Sequence, residues 1–259
     1  MAEGDTILRT ARRLEATLAG RKLGVRAGNA RGRAAGIERL DGMTLGGAEA
    51  RGKHLLLRFD DLVLHSHLGM SGSWQVGRRG ERRRKPGSAA WAVLWDEEVE
   101  AVQFGGPTLR VLSASHLRRD PQLARLGPDV LAPGFDADRV VRSLRAEPDR
   151  RLGDALLDQR LVAGIGNIFK SEACFAARLN PWRPVVELSD EELREALGAA
   201  RRLMEESVAR GRPRPAVYRR SGRPCPACRT PIAARGQGDA NRRTYWCPRC
   251  QSGDPKASP

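Results

Sequence analysis

The sequence predicts an α+β chain of several domains, and three observations carry that reading. Short strand-like runs fill the first half, helical spacing takes over beyond residue 126, and two C-x-x-C pairs close the chain. At 259 residues it is long enough for two domains with cores of their own.

In chain order, Asp5-Thr6 are placed to cap a first helix. Ile7, Ala11, Leu14 and Leu18 then share one face, and Gly20 stops it. Ala2 and Glu3 fall just ahead of the helix's positive end. The stretches His54–Phe59, Leu62–Leu68, Ala90–Trp95, Val99–Phe104 and Thr108–Leu112 alternate or run apolar between turn residues, which predicts a β-sandwich or barrel. Arg78–Lys85 is a charge run expected to form a solvated loop or hairpin tip. After Leu126-Gly127-Pro128, helical spacing covers Asp136–Leu144, Leu152–Asp158, Ile168–Arg178 and Glu191–Arg210. Ser189 and Glu192 form a capping box for the last of these, whose stripe of Leu193, Leu197, Ala200, Met204 and Val208 is core. Pro213 and Pro215 mark a linker. The expected boundaries are 1–126, 127–214 and 215–251, with 252–259 a disordered tail.

The chain carries a formal net charge of +15. From Arg210 to Pro259 twelve Lys/Arg face two Asp/Glu, so +10 of that excess lies in the last fifth. Such concentration implies a polyanionic partner, most simply nucleic acid. No apolar run approaches the ~18 residues of a membrane span, and no secretory pattern opens the chain. A monomer in the reducing cytoplasm, associated with the nucleoid, is the expectation.

Cys225-x2-Cys228 and Cys247-x2-Cys250 are separated by eighteen residues. Each pair brings two thiolates to one metal, and two pairs complete a tetrahedral shell, so one structural Zn2+ is expected. Disulfides are disfavoured by compartment and spacing. Such a short segment buries little core, and the metal supplies its folding energy. Cys174, beside Ala173 and Phe175, is read as a buried small hydrophobe. Between the pairs, Arg242-Arg243 offers two guanidinium forks for phosphate or base edges.

Two further stretches carry chemistry. In Asp158–Asn167, Gly164 and Gly166 permit a tight turn at a helix start, where backbone N–H groups and the Asn167 side chain suit a phosphate. A simple helix–helix turn is the other reading. At the start of the chain, removal of Met1 leaves Ala2 with a free α-amine beside the Glu3 carboxylate. An α-amine of pKa roughly 7.7–8 is an amine nucleophile near neutral pH. An ordinary start to a helix is the alternative.

These features fall in a recognisable order. Ala2-Glu3-Gly4-Asp5, Arg51-Gly52-Lys53-His54, Ser66 to Gly72, Leu126 to Asp129, Gln159 to Phe169 with Glu172, Val217-Tyr218 and the finger ending Tyr245 to Gln251 resemble the formamidopyrimidine-DNA glycosylase / endonuclease VIII family. The resemblance spans nearly the whole chain. It implies a helix and β-sandwich, a helix-two-turn-helix domain and a zinc finger, with double-stranded DNA in the cleft between. It also implies roles: the Ala2 amine attacks the sugar C1′ of a flipped nucleotide and forms a Schiff base, and Glu3 moves a proton to the ring oxygen. Lys53 contacts phosphate and assists, Asn167 and Arg242 grip the backbone with Gly164 and Gly166, and Met70 fills the space the base leaves. Taken alone, Lys53 is a solvated lysine and His67 a histidine packed near the sheet edge.

Two departures qualify the likeness. The family mostly carries proline where this chain has Ala2, so a primary amine replaces a secondary one. Between Phe104 and Pro128 the usual arginine-phenylalanine wedge is missing, and the chain reads Gly105-Gly106-Pro107-Thr108-Leu109-Arg110-Val111. This favours the endonuclease VIII branch and oxidised pyrimidines. The alternatives are an 8-oxoguanine/formamidopyrimidine glycosylase, a non-catalytic lesion-binding protein and an RNA-binding ribosomal-type protein.

Overall fold

Alternating apolar residues build the first half of the protein and helical stripes the second. The computed structural model describes residues 2–81 and 85–252, and the chain divides between Ala124 and Arg125 into two compact units. The first holds α1 (Gly4–Leu18), β1 (Gly24–Ala27), α2 (Ala30–Ala34), β2 (Gly47–Arg51), β3 (His54–Phe59), β4 (Leu62–His67) and β5 (Ser73–Arg78). It continues through β6 (Ala90–Trp95), β7 (Val99–Phe104), β8 (Thr108–Ser113), α3 (Ala114–Arg118) and α4 (Pro121–Ala124).

Two four-stranded antiparallel sheets result, ordered β1-β6-β7-β5 and β2-β3-β4-β8. Leu55, Leu57 and Phe59 of β3 share a core with Leu94 and Ala101 of the other sheet and with Ile7, Ala11, Leu14 and Leu18 of α1. The expected helix and sandwich are therefore present. The sequence passages around β1, β2 and β5 lack the apolar alternation of the others, and these strands are mostly half-buried. Three strands were missed for that reason.

The expected cap is displaced. Helix α1 begins at Gly4, and Glu3 occupies its N-cap with extended backbone and no side-chain capping bond. Asp5 lies inside the first turn, buried, and pairs with Arg9 at 3.5 Å. Of the charge run, Arg78 ends β5, Arg79 N–H donates to the Glu98 carbonyl at 2.7 Å, and Lys85 Nζ donates to Ser73 Oγ at 3.1 Å. Residues 82–84 of that run, and 253–259 of the expected tail, lie outside the described residues.

The second unit contains α5 (Ala137–Arg145), α6 (Leu152–Leu157), α7 (Asn167–Ala176), α8 (Asp190–Arg210), β9 (Ala233–Gln237) and β10 (Arg242–Trp246). Both halves of the Ser189/Glu192 capping box are made, and Gly211 closes α8 at φ 80°. Val140, Leu144, Leu156, Ile165, Phe169, Leu193, Leu197 and Met204 form one core. Cys174 belongs to it, and burial pushes its thiol up to about 12, which makes it inert. Among the described residues no helix is long and apolar enough to cross a membrane.

The finger folds onto the helices of its own unit through polar contacts. Gln237 Nε2 donates to the Pro181 carbonyl at 2.8 Å, and Gln251 Nε2 donates to that of Leu179 at 2.8 Å. Lys170, fully buried on α7, donates to Thr244 Oγ1 at 2.5 Å. Glu172 accepts the backbone N–H groups of Ala216, Val217 and Tyr218 at 2.6, 2.9 and 2.7 Å. One carboxylate thus satisfies the chain where it enters the finger.

Candidate active site

In the first unit the N-terminus is tied to the turn that follows β4. Ala2 N donates to the Gly69 carbonyl at 3.2 Å, and the Glu3 carbonyl accepts Thr6 N–H and Ile7 N–H at 3.0 and 3.1 Å. The Glu3 side chain is buried, only 1 % exposed. Gly69 sits at φ 57°, and a Cβ there would meet Pro107 Cδ at 2.8 Å, so glycine is required on both counts. Gly72 N–H closes the turn onto the Leu68 carbonyl at 2.8 Å. Met70 rides on this turn with 71 % exposure, in contrast to the buried large apolar side chains around it. A cavity of about 680 Å³ opens alongside, lined by Thr6, Arg9, Thr10 and Arg13 of α1 and by Leu68 and Trp74.

Lys53 occupies the two-residue turn between β2 and β3, where Arg51 pairs with His54 and Gly52 adopts φ 58°. Glycine at the first position is what the type II′ hairpin takes. Burial first, and the charge of Lys53 second, hold the His67 imidazole below its ordinary range. His67 is the last residue of β4, a strand paired on both sides, with β3 and β8.

His54, His65 and His67 share the outer face of the β2-β3-β4-β8 sheet. His54 Nδ1 and His65 Nε2 are 2.8 Å apart, and the His54 ring lies 4.8 Å from that of His67. Burial first, and neighbouring charge second, push His54 down to about 3 and His65 to about 4. An unfolded histidine titrates near 6.5, so the unfolded chain binds more protons between about pH 6.5 and 4. The native state therefore loses stability as pH falls through that window. A urea midpoint constant from pH 8 to 7 and declining below 6.5 is expected; a flat midpoint down to pH 4.5 would contradict the neutral burial of these rings. Asp96 and Asp120 are held below the usual carboxylate range and add their losses only at lower pH.

In the second unit, the turn between α6 and α7 differs from the phosphate cradle expected of it. Gly164 takes φ 98°, but its N–H donates to Gln159 Oε1 at 3.0 Å. Gln159 Nε2 in turn donates to the carbonyls of Leu157 and Ile165 at 2.8 and 3.0 Å. Gln159 thus clasps the turn from within, and Gly164 serves its shape. Gly166 is the N-cap of α7 in ordinary extended geometry (φ −119°). Asn167 is buried, and its Nδ2 donates to the Arg243 carbonyl at 2.8 Å, which ties α7 to β10. Its Oδ1 is buried without a partner among the described residues. Arg242 stands exposed at the start of β10, opposite Gln237.

The four finger cysteines converge. Their Sγ atoms all lie within 4.8 Å of one another, with Cys225 to Cys250 at 3.9 Å and Cys228 to Cys247 at 3.4 Å. Thiolates at Zn–S of about 2.3 Å in a tetrahedron stand a little under ~4 Å apart, so this donor set fits such an ion. All four positions belong to the protein, which leaves a role in holding structure.

Against this geometry, the formamidopyrimidine-DNA glycosylase N-terminal domain matches residues 1–107, and the H2TH domain of the same glycosylase matches residues 126–215. The chain belongs to the formamidopyrimidine-DNA glycosylase / endonuclease VIII family. That family is one of DNA glycosylases and AP lyases acting in DNA repair. The protein named "Probable endonuclease 8 2" of Streptomyces coelicolor is 41% identical over 265 residues, covering 98% of this chain and 95% of that one. The DNA-(apurinic or apyrimidinic site) lyase Nei2 of Mycolicibacterium smegmatis is 36% identical, with 97% and 99% covered. The formamidopyrimidine-DNA glycosylase of Thermus thermophilus is also 36% identical but matches over 80% of this chain and 82% of its own. The fold follows that of Lactococcus lactis formamidopyrimidine-DNA glycosylase, solved non-covalently bound to abasic-site DNA, at a TM-score of 0.83 and 23% identity, with 97% and 100% covered. Residues Gln159 and Glu172 lie within stretches that carried the resemblance, yet their contacts, which organise the turn and the finger entry, had no signature in the sequence beyond their polarity.

Proposed function

We propose that the protein is a bifunctional DNA glycosylase and AP lyase for oxidised pyrimidines, working through the α-amine of Ala2. The observation that carries this is the anchoring of the Ala2 nitrogen on the Gly69 carbonyl, with the Glu3 side chain buried next in sequence and Met70 exposed next to Gly69. Once Met1 is removed, the amine lone pair bonds to C1′ as the base leaves with the electrons of its glycosidic bond. The new ammonium gives one proton to the Glu3 carboxylate, which passes it to the sugar ring oxygen; the C1′–O bond then breaks, the freed nitrogen lone pair forms C1′=N, and an iminium results. The iminium acidifies the C2′ hydrogen, and loss of that proton expels the 3′-phosphate by β-elimination. The course either ends there, at β-elimination, or continues through a second elimination on the other side to β,δ. Lys53 binds phosphate beside the lesion, while Arg242 and Asn167 hold the strand further along. For Asn167 the supporting feature is its place at the positive end of α7, where one hydrogen of its amide is given to the Arg243 carbonyl and the amide has a second to offer a phosphate. For Gly164 and Gly166 the reading is now indirect: they shape the turn from which Asn167 projects.

Duplex DNA as partner is supported by the net charge of +15 and by the relatives above. The convergence of Cys225, Cys228, Cys247 and Cys250 supports one structural Zn2+ that fixes the hairpin bearing Arg242. The pyrimidine preference rests on the missing arginine-phenylalanine wedge and on the end-to-end match to endonuclease 8 relatives. It is tested by single-turnover excision from matched duplexes. Thymine glycol is expected to be released faster than 8-oxoguanine opposite cytosine, and the reverse order would move the purine-type reading to the front.

A further inference from the structure

The outer face of the β2-β3-β4-β8 sheet carries a chain of side chains that the reaction above does not use. Asp120, between α3 and α4, accepts Arg110 Nη2. It also caps the next turn, taking Gln122 N–H at 3.0 Å and Leu123 N–H at 3.2 Å, so the carboxylate is fixed. Arg110 on β8 directs Nε and Nη2 at His65 Nδ1, each at 3.2 Å. A guanidinium only donates. His65 Nδ1 is therefore an unprotonated acceptor, and the proton of the neutral ring sits on Nε2. That Nε2–H meets His54 Nδ1 at 2.8 Å, which forces His54 in turn to accept at Nδ1 and to carry its proton on Nε2. The opposite sense would aim an imidazole N–H at two guanidinium N–H groups. A doubly protonated His65 would meet the same clash with an added charge.

From this geometry we infer that Asp120, Arg110 and His65 form a fixed-tautomer relay that makes His54 a neutral Nε2–H donor for the DNA backbone beside Lys53. His54 follows Lys53 directly, pairs across the strands with His67, and is half-buried. The charged and titratable groups that act on it are His65, His67, Asp120 and Arg110, while Lys53, its neighbour in the chain, acts on His67. An imidazolium here would add a positive charge close to Arg110 and next in the chain to Lys53, and those like charges would repel one another. A neutral donor adds a hydrogen bond without that repulsion and leaves the binding independent of pH near neutrality. This inference rests on the reading of Lys53 as a phosphate contact.

The test has two arms. In the zinc-loaded full-length protein labelled with 15N-histidine, two-bond 1H–15N correlation spectra report the tautomer and charge of each of the four histidines. His54 and His65 are expected as neutral Nε2–H tautomers from pH 8 to 5.5. An Nδ1–H tautomer at either ring, or titration of either near pH 6.5, would overturn the relay. In the second arm, His54→Phe keeps a ring and removes the donor, while His54→Gln places an amide N–H near the Nε2 position. His54→Phe is expected to raise KM for a duplex with one abasic site about tenfold, the scale of one hydrogen bond to a charged acceptor, with a much smaller change in kcat. His54→Gln should recover most of that loss. Equal KM for the Phe variant and the parent, or a Gln variant as weak as Phe, would overturn the donor role. If the parent fails to cleave abasic DNA, the lyase reading fails on its own, and the same variants are compared by dissociation constant.

Discussion

Glu3→Gln is expected to slow release of an oxidised base by about 10²–10⁴-fold, the usual worth of a positioned proton donor or acceptor. The carboxylate is 1 % exposed and its residue is the N-cap of α1, held by the backbone bonds of its carbonyl to Thr6 and Ile7. Glutamine keeps the shape and those backbone bonds, so the change isolates the proton. An abasic sugar has no base to expel and is a hemiacetal that opens to its aldehyde without a proton from Glu3, so cleavage of abasic DNA should fall much less than excision. Single-turnover rates on a thymine glycol duplex and on an abasic duplex make the comparison. An equal fall on both would mean that Glu3 supports the amine's position and not the departure of the base.

The second large effect concerns the finger. Removing zinc with a chelator, or replacing Cys250 by serine, is expected to unfold the segment from Cys225 to Gln251 and to cut duplex affinity by two orders of magnitude or more. Structural zinc contributes about 10–16 kcal/mol in finger peptides. The apolar cluster inside the finger is small, Val217, Cys225, Ile232 and Cys247 at its centre, and two of those four belong to the cysteine cluster that fits the ion. What the finger carries is Arg242 and the Arg243 carbonyl that holds Asn167, so the two strand contacts proposed above would be lost together. The first unit has a separate core around Ile7, Leu57 and Phe59 and should keep its β signal in circular dichroism. Metal analysis, fluorescence of Trp246 and DNA titration in parallel check this. Undiminished DNA binding by metal-free protein would show that the hairpin is held by its helical neighbours instead.

How far the sequence alone carries can be read from individual residues. Strands with strong apolar alternation, such as β3, β4, β6, β7 and β8, were legible to within a residue or so, because half of each strand faces a core. Strands β1, β2 and β5 were not: their half-buried residues include Gly24, Glu49 and Gln75, which carry no period-2 signal. The four cysteines were legible because metal geometry demands a spacing. The glycine turn was legible as a turn but not in its hydrogen bonds. Nothing in the residue Gln159 announces that its side chain will take the Gly164 N–H, and that contact reassigns the glycine from phosphate ligand to turn former. The histidine relay was invisible for the same reason: Arg110 and Asp120 lie far along the chain from His54, and only the strand register brings them together.

The central claim is that the amine of Ala2 is the nucleophile, and borohydride trapping on a duplex with one abasic site tests it most directly. Mass spectrometry of the cross-linked peptide should place the DNA on Ala2 with Met1 absent, which would show that a primary amine serves as the nucleophile. Attachment at Lys53 would assign the chemistry to a different nitrogen. No trapped species, from zinc-loaded protein that binds the duplex, would contradict the lyase mechanism altogether.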